Sequence, residues 1–570
     1  MTLVACHDAP DRPATIAAMP NDADPADPAD PAASQYEPAD TDSADFLARF
    51  AWHPEPELIG VRDEHAARPA LERLGRDAWD AALDYLYGEA MRRTIGDPPG
   101  YAELRSVFFG DGGGPDAAPR HPTPSADLLD EFRHRIAPHE LNAWHPRSLS
   151  YFTPPPLPVS IIGELLAQVT NQGVDVWHAG PVAAFVEEEV VRWLCDLAGY
   201  GSSSFGLLTS GGTMANFLGL ALARDIHLAR LRDTDHPPRG AALEGVRVYT
   251  SDQTHFSVGR ALDELGFPPE TLVTLPSDAE FQLHRAPVDA AIAEDRAAGL
   301  TPLAIAAVAG STNTGSVDRL AELADVATEH GLWLHVDAAY GGAARFSARL
   351  APLVPALERA DSVTIDPHKW FFQAYDIGAL VVRDGSHLER AFGRRRPEYY
   401  RGGDAPVASP ADPEPTVNGH VDEGGQLNFY RLGFEGTRRW RALKLWMSWK
   451  HLGSDGFGRL VELNVDLARY LAARIAESAD FEALPPKPAL SVVCFRHRPG
   501  GPTAAHALRP ADLDAHQDRL AAALEASGDG WLSTTRLRGS TWLRAGIVNY
   551  LSTEADVDLI LDRLRDLAAS

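Results

Sequence analysis

Apolar positions between residues 181 and 382 follow two alternating rhythms. From Pro181, "PVAAFVEEEVVRWLCDLA" repeats apolar residues at three- and four-residue spacing behind a helix-opening proline, which predicts a helix. Short apolar, β-branched runs follow at "FGLLTS", "VRVYTS", "TLVTL", "LAIAAVAGS", "WLHVDA", "SVTID" and "GALVV", with helical patterns between most of them. Each run predicts a buried strand. Strand and helix in alternation predict an α/β fold with a mainly parallel central sheet and helices on both faces.

The flanks read differently. Upstream, "LERLGRDAWDAALDYLYGEAM" and "SADLLDEFRHRI" keep helical spacing around a Gly/Pro-rich break, which predicts an N-terminal helical segment over residues 68–156. After "RRWRALKLWMSWKHLG" the pattern gives a long helix, a strand "LSVVCF", a helix near 511–526, a hairpin-like "STTRLRGSTWLRAGIV" and a closing helix. This predicts a small α+β C-terminal domain over 444–570, with 157–443 as the large domain. Residues 1–67 carry the acidic repeat "DADPADPADPA" and are expected to form a disordered Pro/Ala-rich tail.

Charge narrows the partners. A net charge of −28 repels polyphosphate and anionic lipid, so small molecules are favoured over nucleic acid or a membrane surface. Three widely spaced cysteines, Cys6, Cys195 and Cys494, suit neither a disulfide framework nor a metal cluster. With no secretory pattern at the start and no long apolar run, the expectation is a cytoplasmic protein.

Four features at predicted strand ends carry candidate chemistry. In "LLTSGGTMANFLGLALAR", Gly211 and Gly212 form a turn that lets backbone approach a ligand, and the helix start with Thr213 can hold a phosphate; a threonine-capped tight turn is the alternative. Asp337 in "WLHVDAAYGG" ends an apolar strand, where a carboxylate needs a positive partner such as a protonated heteroaromatic nitrogen, or else caps the next turn. His335 is expected to pack in the core. His255 in "YTSDQTHFSVGRA" can lie against a planar ring or act as an acid or base, unless it is merely a polar residue at a helix start.

The fourth is Lys369 in "DPHKWFF". Only four of the 52 basic residues are lysines (Lys369, Lys444, Lys450 and Lys487), so a lysine among aromatics stands out in a chain that otherwise uses arginine. An apolar setting is expected to lower its pKa and free the amine to attack a carbonyl. A phosphate cradle, a carboxylate for a pyridinium, a ring-facing imidazole and an imine-forming lysine together are what pyridoxal 5′-phosphate needs.

With those parts in place, the sequence resembles the group II pyridoxal-phosphate decarboxylases, which act on aromatic amino acids, glutamate and histidine. The likeness runs from about residue 70 to the C-terminus, and is most specific in "HVDAAYGG" and "DPHKW", with support from "HPRSLSYFTPPP", "YTSDQTHFSV", "GSTNTGSVD" and "GTRRWRALKLW". The resemblance implies the aspartate aminotransferase type of fold and a homodimer with its site at the subunit interface. It also implies roles: Lys369 as the cofactor-linking lysine, Asp337 as partner of the pyridine nitrogen, His255 on the ring, and Gly212 with Thr213 at the phosphate. Thr312, Ala339 and His368 match further cofactor positions, Arg438 an active-site arginine, and Tyr151, Phe152 and Trp177 positions near the substrate. Tyr399, with Tyr400 adjacent, matches a mobile-loop tyrosine that protonates the substrate carbon.

Three departures accompany the resemblance. Asp366 stands where animal aromatic decarboxylases have asparagine, "GSTN" replaces a Gly-Thr-Thr run, and residues 402–425 form a Pro/Gly-rich insert beside the loop. The expected activity is decarboxylation of an L-amino acid, aromatic or bulky and apolar, to the amine and carbon dioxide. Aliphatic or acidic substrates, oxygen-dependent conversion to an aldehyde, carbon–carbon lysis, amine transfer and a non-catalytic cofactor-binding role are the alternatives.

Overall fold

The computed structural model of the chain describes residues 43–62, 64–88, 95, 100–110, 113–115, 117–230, 241–393, 426–500 and 509–569. These fall into two compact units. One comprises the described residues up to 79 together with 118–130; the other comprises 80–117 and 131 onward. The first unit contains helices Ser43–Ala48 and Pro56–Ile59, which lie within the stretch 1–67 that the sequence pattern reads as a tail. Local contacts explain the difference: the Phe46 and Phe50 rings meet edge to face at 5.5 Å, and the Glu55 carboxylate accepts hydrogen bonds from both the backbone N–H and the hydroxyl of Ser125. The acidic repeat itself lies outside the described residues.

The second unit is built on a seven-stranded sheet. In chain order its strands are β1 (Phe205–Thr209), β2 (Val246–Ser251), β3 (Leu272–Leu275), β4 (Thr301–Val308), β5 (Trp333–Asp337), β6 (Ser362–Ile365) and β7 (Gly378–Val382). All seven fall on the runs singled out in the sequence. Their spatial order is β1-β7-β6-β5-β4-β2-β3, and only β7 runs against the others. Every residue of β1, β5, β6 and β7 is buried, because helices close both faces and leave no polar side to the strands.

A second sheet, wholly antiparallel, has the order β10-β11-β9-β8 from β8 (Phe481–Ala483), β9 (Val492–His497), β10 (Ser533–Leu537) and β11 (Ser540–Gly546). Helices Pro510–Ser527 and Glu554–Ala569 contribute Leu520, Leu524, Ile560 and Leu564 to a separate apolar cluster with this sheet. The long helix expected after residue 440 spans Ala442–Glu477 and breaks at Gly453, whose φ of 66° lies in the left-handed region. No described helix is long and apolar enough to cross a membrane.

Candidate active site

Five segments of the sheet and its connections converge at one edge. β1, β2, β4, β5 and β6 all run the same way, so the residues following their carboxyl ends meet there: Gly211 to Thr213, His255, Gly310 and Thr312, Asp337 and Ala339, and Asp366 to Lys369. They line a cavity of about 360 Å³ together with Phe152 and Tyr340. Gly310 has a φ of 98°, and a Cβ there would come 2.7 Å from the Tyr340 ring; a side chain would disrupt this wall. At the opposite side, a Cβ on Gly212 would come 2.7 Å from Asp366 Oδ2. Gly212 opens the helix Gly212–Arg230, so its first N–H groups face the cavity free of intrahelical partners.

The buried end of the cavity is held by a polar chain that fixes its own proton positions. Asn216 Nδ2 donates to Asp337 Oδ2 (2.8 Å) and to Ser257 Oγ (2.9 Å), while its Oδ1 accepts from Thr364 Oγ1 (2.7 Å) and His335 Nε2 (3.0 Å). Because Asn216 Oδ1 can only accept, His335 carries its proton on Nε2, and its Nδ1 accepts from the Ser362 hydroxyl (2.8 Å). His335, expected to pack in the core, is therefore a buried hydrogen-bonding residue two links from Asp337. Burial, only partly opposed by Asp337, drives its pKa down to about 4, which keeps it neutral. Asp337 Oδ1 accepts from the Ala339 N–H at 3.1 Å, so both carboxylate oxygens are oriented.

His255 is neutral for a similar reason. Its Nδ1 lies 2.7 Å from Ser257 Oγ and also accepts the Ser257 backbone N–H, leaving the proton on Nε2; burial lowers its pKa, against the opposing Asp337 charge. The half-buried ring lies in the cavity lining with an N–H to spare.

Lys369 departs from the expectation. Burial does push its pKa down, but the carboxylates of Asp366 and Asp337 more than offset this, and the net shift is upward. The ammonium sits 3.0 Å from Asp366 Oδ2, with a quarter of its side chain exposed, so it is an ion-paired cation rather than an amine in an apolar site. His368 lies 3.8 Å from the same oxygen; burial lowers its pKa, and its Nδ1 accepts the Ile377 N–H.

Of the residues matched to a substrate pocket, only Phe152 reaches the cavity. Tyr151 is 60% exposed and packs edge-on against Trp531, while Trp177 packs against Phe185 at 4.9 Å. Arg438 is a correction: it is fully buried, its guanidinium donates to the Glu187 carboxylate and to the carbonyls of Leu208 and Val174, and it covers the Phe429 ring at 4.8 Å. It ties β1 to the helix Pro181–Ala198 and does not line the cavity. Breaking this pair with Arg438→Met or Glu187→Ala strands a buried charge, and each variant should lose about 3–5 kcal/mol of unfolding free energy in urea titrations. The double variant should lose less than the sum of the two. Tyr399, Tyr400 and the insert at 402–425 lie outside the described residues.

Two groups were missed in the sequence. Asn216 hides among apolar helix residues, where one polar side chain on a buried face was the available signal. Arg544 is an arginine inside the apolar strand β11; its Nε donates to the Thr312 carbonyl (2.7 Å), its Nη1 to the Ser150 carbonyl, and it stacks on Phe152 at 4.8 Å. Its buried Nη2 has no hydrogen-bond partner among the described residues. The stack continues inward, Phe152 on Tyr340 at 4.1 Å and Tyr340 on Trp370 at 4.7 Å.

Comparison with known proteins identifies the family. Residues 112–498 match the pyridoxal-dependent decarboxylase conserved domain. The chain belongs to the pyridoxal-dependent decarboxylase family. It is 32% identical over 498 residues to an aromatic-L-amino-acid decarboxylase of Bacillus atrophaeus, covering 87% of this chain and 95% of that one. It is also 32% identical over 456 residues to an L-2,4-diaminobutyrate decarboxylase of Rhizobium meliloti (strain 1021), covering 80% of this chain and 84% of the other. Among solved structures, that of Oryza sativa TDC with PLP and tryptamine superposes with a TM-score of 0.76 at 26% identity, over 88% of this chain and 97% of that one. This decarboxylase is thus a fold type I enzyme that uses pyridoxal 5′-phosphate to decarboxylate an amino acid. The residues present suit that cofactor: the helix opening at Gly212 brings N–H groups without intrahelical partners to the cavity, where they can meet a phosphate, and the oriented Asp337 carboxylate can meet a ring nitrogen.

Proposed function

We propose that this decarboxylase acts on an aromatic or bulky apolar L-amino acid and releases the amine and carbon dioxide. The observation that carries the substrate class is the cavity wall. Phe152 stacked on Tyr340 gives an apolar, planar face, and among the described residues lining the cavity only Asp337 and Asp366 are acidic. A substrate side chain with its own ammonium, as in diaminobutyrate, would meet, among the described residues of the cavity, only carboxylates already engaged: Asp337 is held by Asn216 and the Ala339 N–H, and Asp366 turns its Oδ2 to Lys369 and buries its Oδ1.

Bound pyridoxal phosphate supplies an electron sink for the pair left behind when carbon dioxide departs. In this reading the chain's residues do the rest. The turn Gly211 to Thr213 and the helix start hold the phosphate, and Thr312, Ala339 and His368 close around the cofactor. Asp337, fixed by Asn216 and in turn by His335 and Thr364, keeps the pyridine nitrogen protonated. His255 covers one ring face as a neutral imidazole and can donate from Nε2. Lys369, facing the cavity beside Asp366, would hold the cofactor through its amine. The unused Nη2 of Arg544 is assigned to the substrate carboxylate, and Tyr399 or Tyr400 to the proton delivered at Cα, which favours amine over aldehyde as product.

The reading extends to assembly. Leu165, Leu166 and Val169 on helix Pro158–Thr170, with Val182 and Phe185 on helix Pro181–Ala198, expose an apolar surface that suits a homodimer interface, and buried unpaired Cys195 and Cys494 suit a reducing cytoplasm. The test of substrate class is a comparison of kcat/KM for tryptophan, phenylalanine, leucine, glutamate and 2,4-diaminobutyrate. We expect an aromatic substrate to lead diaminobutyrate by on the order of 100-fold or more, the scale at which a pocket rejects an unpaired charge. A preference for diaminobutyrate or glutamate overturns the assignment, and peroxide formed in step with carbon dioxide overturns the amine as product.

A further inference from the structure

Asp366 follows β6 directly and is 2% exposed. One carboxylate oxygen, Oδ2, faces Lys369 Nζ at 3.0 Å and His368 Nε2 at 3.8 Å; the other, Oδ1, is buried with no hydrogen-bond partner among the described residues. The carboxylate also lies against the glycine turn. A Cβ placed on Gly212 would come 2.7 Å from Oδ2, and one placed on Gly378 would come 2.7 Å from Oδ1. An acidic side chain therefore stands inside the cradle that the reading above assigns to the cofactor's phosphate.

The other charged or titratable groups around it are few. Lys369 is the near cation, and its charge is shared with Asp337; His255 and His368 are held neutral by burial, the Tyr375 ring packs on His368 at 4.6 Å, and Asp376 lies beyond His368. A carboxylate and a phosphate dianion in hydrogen-bond contact repel, and such pairs settle by holding a proton between them. A carboxylic acid can donate where a carboxylate only accepts, so a proton on Oδ2, the oxygen beside Gly212, gives the arriving phosphate a hydrogen bond.

We propose that Asp366 holds the cofactor's phosphate through a proton taken up from solvent on binding, so that loading of pyridoxal phosphate in this chain is acid-linked. The proposal rests on the assignment of the phosphate to the turn Gly211 to Thr213. The sign follows from the ligand: a phosphate monoester loses its second proton near about pH 6, so below that it can bring the proton itself, and above it the site must draw one from water. Affinity for the phosphate group should then fall by up to about tenfold for each pH unit above neutrality.

The experiment uses cofactor-free full-length protein and two probes, pyridoxal 5′-phosphate and 5′-deoxypyridoxal, which shares the ring and aldehyde but lacks the phosphate. Titration of Lys369 affects both probes alike, so the ratio of their affinities isolates the phosphate. For the unaltered chain the ratio should drop by about tenfold per unit between about pH 7 and 9, with about one extra proton taken up for the phosphorylated probe in calorimetry across buffers of different ionisation enthalpy. For Asp366→Asn, which offers an N–H₂ donor of the same shape, the ratio should be flat, exceed that of the unaltered chain at the alkaline end, and show no extra proton. Asp366→Ser, a smaller neutral donor, should give the same flat profile, and serves should the asparagine variant fail to fold.

An unchanged slope in these variants, or a lower ratio at every pH, overturns the role of Asp366 while leaving the phosphate assignment standing. Equal affinity of the unaltered chain for both probes overturns the phosphate assignment itself, and the proposal with it.

Discussion

Lys369→Arg should abolish carbon dioxide release, with a loss on the order of 10⁴-fold or more, while the protein stays folded. The guanidinium keeps a positive charge against Asp366 and Asp337, so the ion pair that lies 3.0 Å across the cavity in the native chain has a substitute. What it lacks is a nucleophilic nitrogen: a guanidinium stays protonated and forms no imine with the cofactor's aldehyde. Visible absorbance of the protein after addition of pyridoxal phosphate gives an independent check, since the variant should show the spectrum of free cofactor. Retention of the bound band would remove Lys369 from the chemistry.

Asp337→Asn should lower kcat by on the order of 10³-fold with a much smaller change in KM. The change is isosteric and leaves neighbouring side chains in place, but it replaces the carboxylate that we propose balances a protonated ring nitrogen and sets an amide against the Asn216 Nδ2 donor. Because the phosphate cradle is untouched, the cofactor should still bind. A kcat within a few-fold of the native value would mean that Asp337 only orients the Ala339 turn, the alternative open to any strand-end aspartate.

How far this site could be read from the sequence depended on which residues announce themselves locally. The strands were legible because a sheet buried on both faces forces unbroken apolar runs such as "GALVV" and "LAIAAV". Gly212, His255, Asp337 and Lys369 were legible because each follows such a run, where the topology delivers residues to one edge. Asn216 was not, since nothing in a helical pattern says which neighbour a lone amide will meet. Arg544 arrives from another sheet more than 170 residues after Lys369, and no local pattern ties β11 to Phe152.

Two misreadings have physical causes. The amine of Lys369 was expected to lose its proton because its sequence neighbours Trp370, Phe371 and Phe372 are apolar. Those rings are buried in the core, whereas the lysine faces the cavity and Asp366 three residues back. Arg438 was assigned to the substrate from a matched motif, and its partner Glu187 sits 251 positions away on a helix whose other buried residues are almost all apolar. A lone buried glutamate in that helix was the available hint that an arginine elsewhere is spent on structure.

The central claim is that one particular lysine carries the cofactor, and the composition of the chain makes it directly measurable. Lys444 is the serious rival, since burial drives its pKa down to about 7, yet its Nζ is bound to the Asp376 carbonyl (3.1 Å) and Glu164 (2.8 Å) and it does not line the cavity. Borohydride reduction of the cofactor-loaded protein followed by peptide mass mapping should place a single phosphopyridoxyl group on Lys369. Its appearance on Lys444, Lys450 or Lys487, or no covalent label at all, would contradict the account.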